Sequence, residues 1–457
     1  MGFFKAYDMR GTFGVDFDLA TVYRVGKALP AVVGGRRWLV GRDARLTSAA
    51  VRRALVAGLR AAGAEVVDLG RATTPMVYFF TAEEDFDGSV MITASHNPPG
   101  DNGLKVSRRG ALPVGLDSGL ADVAARVAAD AAPVPEEILS GAERVSAPET
   151  DPARLARYIA WLQTHGAGPQ PGTLRVAVDC SDGMAALFAH ALFPGAIFLN
   201  DAPDGRFPHH APNPLLPAAR EPLAAAVRAQ GLDCGVIFDG DADRCMFVDE
   251  TGAFIQPDYL IPVLAETFLA GTDARPPVIH DVRTSRAAIE AIRALGCEPV
   301  MGKVGHAYAK TLLRQVGAVC GGELAGHYYF RDFHGCDSGA FAALRLLGAF
   351  ARAKARGLTV SRFLAPLCGK YANSGELNFT VADKPAAIAR VLAAAQTFGV
   401  ETGRSEIDGV RLEFAEGWIS VRASNTEPYL RLIAECDTPA RLARWTATLT
   451  AALETQT

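Results

Sequence analysis

Three aspartates alternate in one short run, Asp239-Gly240-Asp241-Ala242-Asp243-Arg244. A loop can turn all three carboxylates toward one point, where they repel strongly unless a cation sits among them. Oxygen ligands without His or Cys point to Mg²⁺ or Ca²⁺. A calcium loop of the EF-hand type is the rival reading, since Glu250 stands twelfth from Asp239. Its sixth position, however, is Arg244 where a glycine must make the sharp turn. The flanks, Val236-Ile237-Phe238 and Met246-Phe247-Val248, read as strands and not helices. An octahedral Mg²⁺ held by three carboxylates keeps sites open, and a phosphoryl oxygen can fill one. The plain structural reading is a solvated acidic turn.

Ser95 lies in Thr93-Ala94-Ser95-His96-Asn97-Pro98-Pro99. Taken alone, such a serine is more readily a helix cap than a nucleophile. Against the cap, Asn97-Pro98-Pro99 is a poor helix start. His96 can donate a hydrogen bond to an oxyanion, and Asn102-Gly103-Leu104-Lys105 brings a cation back nearby. A serine that accepts and donates phosphoryl needs such groups, because the transferring group spreads negative charge over its oxygens. Glu323 and His327 share a glycine-rich loop and suit hydrogen bonds to vicinal hydroxyls, although a buried, satisfied histidine explains His327 equally well. Arg422-Ala423-Ser424-Asn425-Thr426-Glu427-Pro428, followed by Arg431, reads as a phosphate nest or as an ordinary polar hairpin turn.

These loops need elements to hold them. A pattern of strand, helix, strand and polar loop recurs three times. The first copy runs from Trp38-Leu39-Val40-Gly41 through a helix over 49–62 to Ser89-Val90-Met91-Ile92, and ends at Ser95. The second runs from Leu174–Asp179 to Gly235-Val236-Ile237-Phe238, and ends at the aspartates. The third runs from Pro277–Asp281 to Ala318-Val319-Cys320, and ends at Glu323. Strands alternating with helices imply sheets that bind ligands beyond their carboxyl ends. The last segment has strands at 375–381, 418–421 and 430–433 and a helix at 385–395, a small α+β unit. The predicted fold is three related α/β domains with mixed, mainly parallel sheets plus a smaller C-terminal α+β domain around one cleft. The expected limits are 1–147, 148–253, 254–367 and 368–457. The proline-rich stretch 202–217 reads as a long loop inside the second domain.

The bulk numbers agree. With 457 residues, 49% apolar and 21% charged, the chain is an ordinary multi-domain globular protein. A net charge of −4 gives no basic field for nucleic acid or anionic membrane. The eight cysteines form no C-x-x-C pair and no zinc spacing, and read as small buried hydrophobes in a reducing compartment. The N-terminus has no signal-peptide run. Ala6 stands where myristoylation wants Ser or Thr, and no apolar stretch reaches the roughly 18 residues of a membrane span. A cytoplasmic protein is expected.

Taken together, the motifs resemble the α-D-phosphohexomutases, most closely the bacterial phosphomannomutase group. The resemblance runs from Ala6-Tyr7-Asp8-Met9-Arg10-Gly11 through the Ser95, Asp239 and Glu323 loops to Arg422–Pro428. It implies that Ser95 is a phosphoserine, and that Ser95, Asp239, Asp241 and Asp243 hold one Mg²⁺. It implies that Arg10, His96, Lys105 and Arg244 serve the reacting phosphate. Tyr7, Arg283, His306, Glu323 and His327 would line the sugar, and Arg422, Ser424, Asn425, Thr426 and Arg431 would hold the phosphate that is not reacting. Family members often have Ser at Ala325, and some have Lys at Arg283, which bears on substrate range.

The implied reaction is an isomerisation, mannose 6-phosphate to mannose 1-phosphate, through a hexose 1,6-bisphosphate that also serves as activator. Lys105, His327 and His306 are the candidate bases. Dual mannose/glucose activity is the second expectation. Phosphoglucosamine is disfavoured, because that group shows Ser-Gly-Thr where this chain has Ser424-Asn425-Thr426. Expected partners are small-molecule hexose phosphates, with no nucleic acid and no membrane, on a monomer or weak homo-oligomer. Relatives supply mannose 1-phosphate for GDP-mannose. A serine-nucleophile metal phosphatase and a catalytically inert sugar-phosphate binder are the readings from other classes.

Overall fold

The computed structural model describes residues 2–140, 149–168, 172–423 and 429–454. It contains four sheets. The first three follow one plan. In each, a parallel trio is continued by antiparallel strands, so all are mixed. In the second sheet the trio is Ile197–Leu199, Val176–Asp179 and Cys234–Phe238, continued by Cys245–Asp249 and Phe254–Ile255. In the third it is Pro299–Gly302, Val278–Asp281 and Cys320–Gly322, continued by Tyr328–Phe330 and Cys336–Asp337. In the first it is Glu65–Arg71, Arg37–Arg42 and Gly88–Ile92, then Asp101–Arg108. There the outer place is taken by the N-terminal strand Met9–Thr12.

This plan explains where the unusual loops fall. Each leaves the last strand of the parallel trio and enters the antiparallel strand beside it: 93–100, 239–244 and 323–327. Each apolar strand is buried in the sheet and ends where the sequence turns polar, so the three loops occupy the same topological position. The third trio strand lies two residues later than its apolar run suggests, at Cys320–Gly322 and not Ala318–Cys320. Glycine is needed inside it: a Cβ on Gly321 would stand 2.1 Å from Ile279 Cγ1.

One apolar core joins the first three sheets and their helices, including Phe79, Phe238, Tyr328 and Phe341. The fourth sheet has its own core around Phe414, Leu430, Trp445 and Leu449. It is antiparallel, with Tyr429–Cys436 and Gly417–Ala423 at its centre and helices Lys384–Ala395 and Pro439–Glu454 packed together. Strands Glu401–Ser405 and Val410–Phe414 and helix Pro439–Glu454 were not anticipated from the sequence. Contacts between the fourth and third units include buried polar ones: Arg411 donates to Val282 O (2.7 Å) and Thr284 O (2.9 Å). Arg286 donates to Phe414 O (2.8 Å) and Gly417 O (3.0 Å). Residues 202–216 form a loop, as expected. Seven cysteines are buried and Cys368 is exposed.

Candidate active site

The Ser95 turn and the aspartate turn meet. Ser95 Oγ donates to Asp239 Oδ2 at 2.8 Å. A Cβ at Gly240 would stand 2.6 Å from Ser95 O, so the glycine allows the two backbones their close approach. Ser95 (φ +52°) and Ala242 (φ +60°) are both left-handed, a conformation costly for non-glycine residues and concentrated at functional turns. The surrounding structure holds it. Thr93 Oγ1 accepts from Ser95 N, and Thr74 donates its backbone N–H to Asp241 O (3.1 Å) and its hydroxyl to Asp241 Oδ2 (2.5 Å).

The clamp on the serine turn is Arg45, which the sequence reading passed over. Its fully buried guanidinium donates to Ser95 O (2.8 Å), Asn97 O (2.7 Å), Pro98 O (2.6 Å) and Asp101 O (2.9 Å). Asp43 fixes it from behind at 3.1 Å. Its only local signal was the polar Arg42-Asp43 stretch that ends strand Arg37–Arg42.

The three aspartates are wholly buried, with oxygens within 4.8 Å of one another. Burial, and then the charges of Asp243 and Asp241, push the Asp239 carboxyl well above the carboxylate range. Burial also opposes ionisation of Asp241, but Lys105 outweighs it and holds that carboxyl low. Lys105 Nζ lies 2.7 Å from Asp241 Oδ2 and 2.5 Å from Asp243 Oδ2. Burial opposes its charge too, yet the two carboxylates raise its pKa, so it is a firmly held ammonium. Asp241 Oδ1 and Asp243 Oδ1 are buried with no hydrogen-bond partner among the described residues. Orphaned carboxylate oxygens beside a serine hydroxyl form an all-oxygen donor set, and these residues fit a hard divalent cation.

Cations surround the serine. Arg244 Nη2 donates to Ser95 Oγ at 3.3 Å and contacts His96 Nδ1, while its Nε lies 3.2 Å from Asp239 Oδ2. Burial, then Arg244 and Arg10, hold the His96 pKa well below the ordinary value, so His96 is a neutral imidazole. Arg10, on strand Met9–Thr12, is held by Asp8 (2.6 Å) and donates to Asn97 Oδ1 (3.0 Å).

The third loop is stitched to the second: Arg244 and His327 form an isolated antiparallel bridge, and Cys245 N donates to Gly326 O at 3.3 Å. His327 Nδ1 faces Asp337 Oδ2 at 2.8 Å, and Lys310 Nζ lies 2.8 Å from Asp337 Oδ1. Burial opposes ionisation of Asp337, but Lys310 and His327 outweigh it. An ionised carboxylate can only accept, so Nδ1 carries a proton, and in the uncharged ring Nε2 is the nitrogen with the lone pair. His306 lies beside it, ring centroids 6.0 Å apart, its pKa held well below ordinary by burial, Lys310 and Lys105. Glu323 accepts from Gly305 N (2.7 Å) and Tyr329 OH (2.6 Å), leaving lone pairs for a ligand. Tyr7 packs edge-on against His306 and donates to Val304 O at 3.4 Å.

At the other end of the cleft, Asp281 grips Arg283 through Nε (3.1 Å) and Nη2 (2.6 Å), a fork that a lysine could not form. Arg422 and Arg431 are register partners on neighbouring strands. Both contact Glu376, a residue without any sequence signal. Ser424, Asn425 and Thr426 lie outside the described residues. One cleft of about 440 Å³ is lined from all four units, by Ser95, Lys105, Arg244, Arg283, Glu323, Ala325, His327, Glu376 and Arg431 among others.

Comparison with known proteins follows the same fourfold division. The chain matches the phosphoglucomutase/phosphomannomutase α/β/α domains I, II and III over residues 1–131, 156–252 and 256–371, and the C-terminal domain over 376–452. A protein named "Phosphohexose mutases" from Xanthomonas campestris pv. campestris is 38% identical over 437 residues, 94% of each chain. A Salmonella typhimurium phosphomannomutase is 37% identical over 462 residues, 98% of each. The crystal structure of a phosphoglucomutase/phosphomannomutase family protein from Burkholderia thailandensis superposes with a TM-score of 0.83 at 30% identity, covering 99% of this chain and 97% of that one. All four family domains are present in order, and the chain belongs to the phosphoglucomutase/phosphomannomutase family.

Proposed function

We propose that this chain is a phosphohexomutase that moves a phosphoryl group between O6 and O1 of a hexose through Ser95 Oγ, with mannose phosphates as the preferred substrates. The observation that carries the reading is the layout of the cleft. A hydroxyl nucleophile sits among cations at one end, and an arginine cluster at the other suits a second phosphate. A simple phosphatase needs only the first of these.

In the proposed cycle, phosphoserine 95 gives its phosphoryl to the free sugar hydroxyl. The Oγ–P bond breaks with its electron pair left on Ser95 Oγ, the new O–P bond forms, and His327 Nε2 takes the hydroxyl proton, which it returns to the leaving sugar oxygen in the second transfer. Asp337 holds the ring in that tautomer. Lys105 stays an ammonium against its two carboxylates, which suits it to neutralise charge and not to act as the base. Arg10, His96 and Arg244 stabilise charge on the phosphoryl oxygens in flight. Ser95, Asp239, Asp241 and Asp243 would hold a Mg²⁺, which when bound supplies Lewis-acid stabilisation of phosphoryl charge.

The resulting 1,6-bisphosphate turns over, and its other phosphate returns to Ser95 by the reverse steps. Arg283, Arg422 and Arg431, with Ser424, Asn425 and Thr426, accept whichever phosphate is not reacting. Glu323 and His306 hold the sugar hydroxyls, and Tyr7 braces the His306 turn. Water must be kept from the phosphoserine. The separately cored fourth unit, taken as residues 368–457, is suited to close on the others, taken as 1–147, 148–253 and 254–367.

The preference for mannose is supported by the phosphomannomutase names of relatives at 36–37% identity. A coupled assay of mannose 1-phosphate against glucose 1-phosphate, primed with a trace of bisphosphate, tests it. Stoichiometric release of free phosphate from either substrate would favour a phosphatase instead.

A further inference from the structure

The far end of the cleft already contains an anion of the protein's own. Glu376 precedes strand Leu377–Thr380. Its Oε1 accepts from Arg431 Nη1 at 2.5 Å and its Oε2 from Arg422 Nη2 at 3.0 Å, with Arg283 Nη1 3.5 Å away. Two of these cations stand on adjacent strands of the fourth sheet, while Arg283 comes from the third unit and is anchored by Asp281. Paired guanidinium groups spanning a carboxylate are the arrangement that also grips a phosphate. Glu376 lines the cleft and keeps 17% of its side chain exposed, so a ligand can reach the same arginine faces.

We propose that Glu376 is an internal competitor for the distal phosphate: it fills the Arg283–Arg422–Arg431 clamp in the ligand-free protein and yields it when the non-reacting phosphate of the sugar enters. The inference rests on the phosphohexomutase reading and deepens it. A mutase must release this phosphate in every cycle for the bisphosphate to turn over. A carboxylate waiting to return to the arginines weakens the grip and shortens the stay. Asp281 stays with Arg283 throughout, so the exchange removes one carboxylate and admits one phosphate. The competitor is a full charge at neutral pH. Burial opposes its ionisation, but Arg283, Arg422 and Arg431 outweigh it and pull the carboxyl down to about 2. Because Glu376 bridges the fourth unit to Arg283, the exchange also replaces a link within the protein by one through the ligand.

The alternative is that Glu376 permanently orients the arginines and the phosphate binds beside it. The two cases differ in sign. In the full chain, Glu376→Gln removes the competing charge. Mannose 6-phosphate and inorganic phosphate should then bind about fivefold tighter by titration calorimetry, the upper scale of one partly exposed ion pair. KM should fall, and kcat should fall with it as release slows. Unchanged or weaker binding would overturn the proposal. Glu376→Asp, whose carboxylate is one methylene shorter, should shift binding in the same direction and serves if the glutamine variant does not fold. Arg422→Met isolates the part of the phosphate signal that belongs to the clamp. A gain in E376Q that persists when combined with R422M would also overturn it. If wild-type protein binds inorganic phosphate at the clamp but no hexose phosphate, the phosphohexomutase reading fails while the sign of the Glu376 effect still decides this inference.

Discussion

Ser95 Oγ and Asp239 Oδ2 stand 2.8 Å apart although 144 residues separate them in the chain. The contact joins the turn that ends the first parallel trio to the turn that ends the second. Two loops occupying the same place in repeated units thus meet at one point.

Removal of the hydroxyl should end the reaction. Ser95→Ala is expected to lower mutase kcat by at least about 10⁴-fold, as loss of a nucleophile does. Its circular dichroism and melting should stay near wild type, because only one small hydroxyl is lost. A coupled assay with bisphosphate present checks this.

Arg45 should matter to stability as well as to rate. Arg45→Met leaves Asp43 buried without its cation and frees the carbonyls of the serine turn, so the chain should lose about 3 kcal/mol. Urea unfolding measures the loss. A surface variant such as Arg206→Met, at a salt bridge of an exposed side chain, should change stability little.

Asp337 orients the His327 ring through Nδ1 at 2.8 Å. Asp337→Asn can offer His327 an amide N–H, which favours the opposite tautomer and puts the proton on Nε2. The expected kcat loss is about 10²-fold, the scale of general base catalysis, with KM changed far less. Equal losses in kcat and substrate affinity would point to a structural role for Asp337.

The serine and the orphaned aspartate oxygens could hold a divalent cation. Chelation should abolish turnover and Mg²⁺ should restore it, whereas Ca²⁺, larger and less strict in geometry, should restore it poorly. Asp243→Asn should raise the Mg²⁺ concentration needed for half-maximal rate. Wild-type turnover in excess chelator would contradict the cation site.

Asp258 gives a prediction independent of the chemistry. Burial raises its carboxyl to about 7, against hydrogen bonding by Ser285 N at 2.7 Å. A carboxyl raised on folding binds its proton more tightly in the folded chain. Its contribution is therefore full below the ordinary 3.8 and is lost as pH rises to about 7. At about 1.4 kcal/mol per pH unit, that interval is worth up to about 4 kcal/mol. Asp258→Asn keeps an acceptor for Ser285 and should make stability between pH 5 and 8 flatter than in wild type, in urea titrations at each pH.

Much of this was readable because burial and polarity alternate sharply. Runs such as Val236-Ile237-Phe238 fill sheet interiors, and the polar residues directly after them could only be loops at strand ends. The aspartates, Ser95 and Glu323 were legible for that reason, and each stands at the carboxyl end of the equivalent strand in its own sheet. Strand Glu401–Ser405 was not legible, because its edge position leaves most of its side chains wet and its composition polar. Helix Pro439–Glu454 had a usable signal in Leu442, Trp445, Leu449 and Leu453 that went unread. The partners of the site were hidden for a different reason. Arg45 reaches the serine turn from 50 residues away, and Glu376 meets Arg431 from 55 away, so nothing local in the sequence announces either pairing.

The most direct test follows the phosphoryl group itself. Protein incubated with bisphosphate labelled in its phosphates should carry label on the peptide containing Ser95, and unlabelled hexose phosphate should then chase that label into sugar phosphate. Label on a different residue, or its release only as inorganic phosphate, would contradict a phosphoryl relay through Ser95.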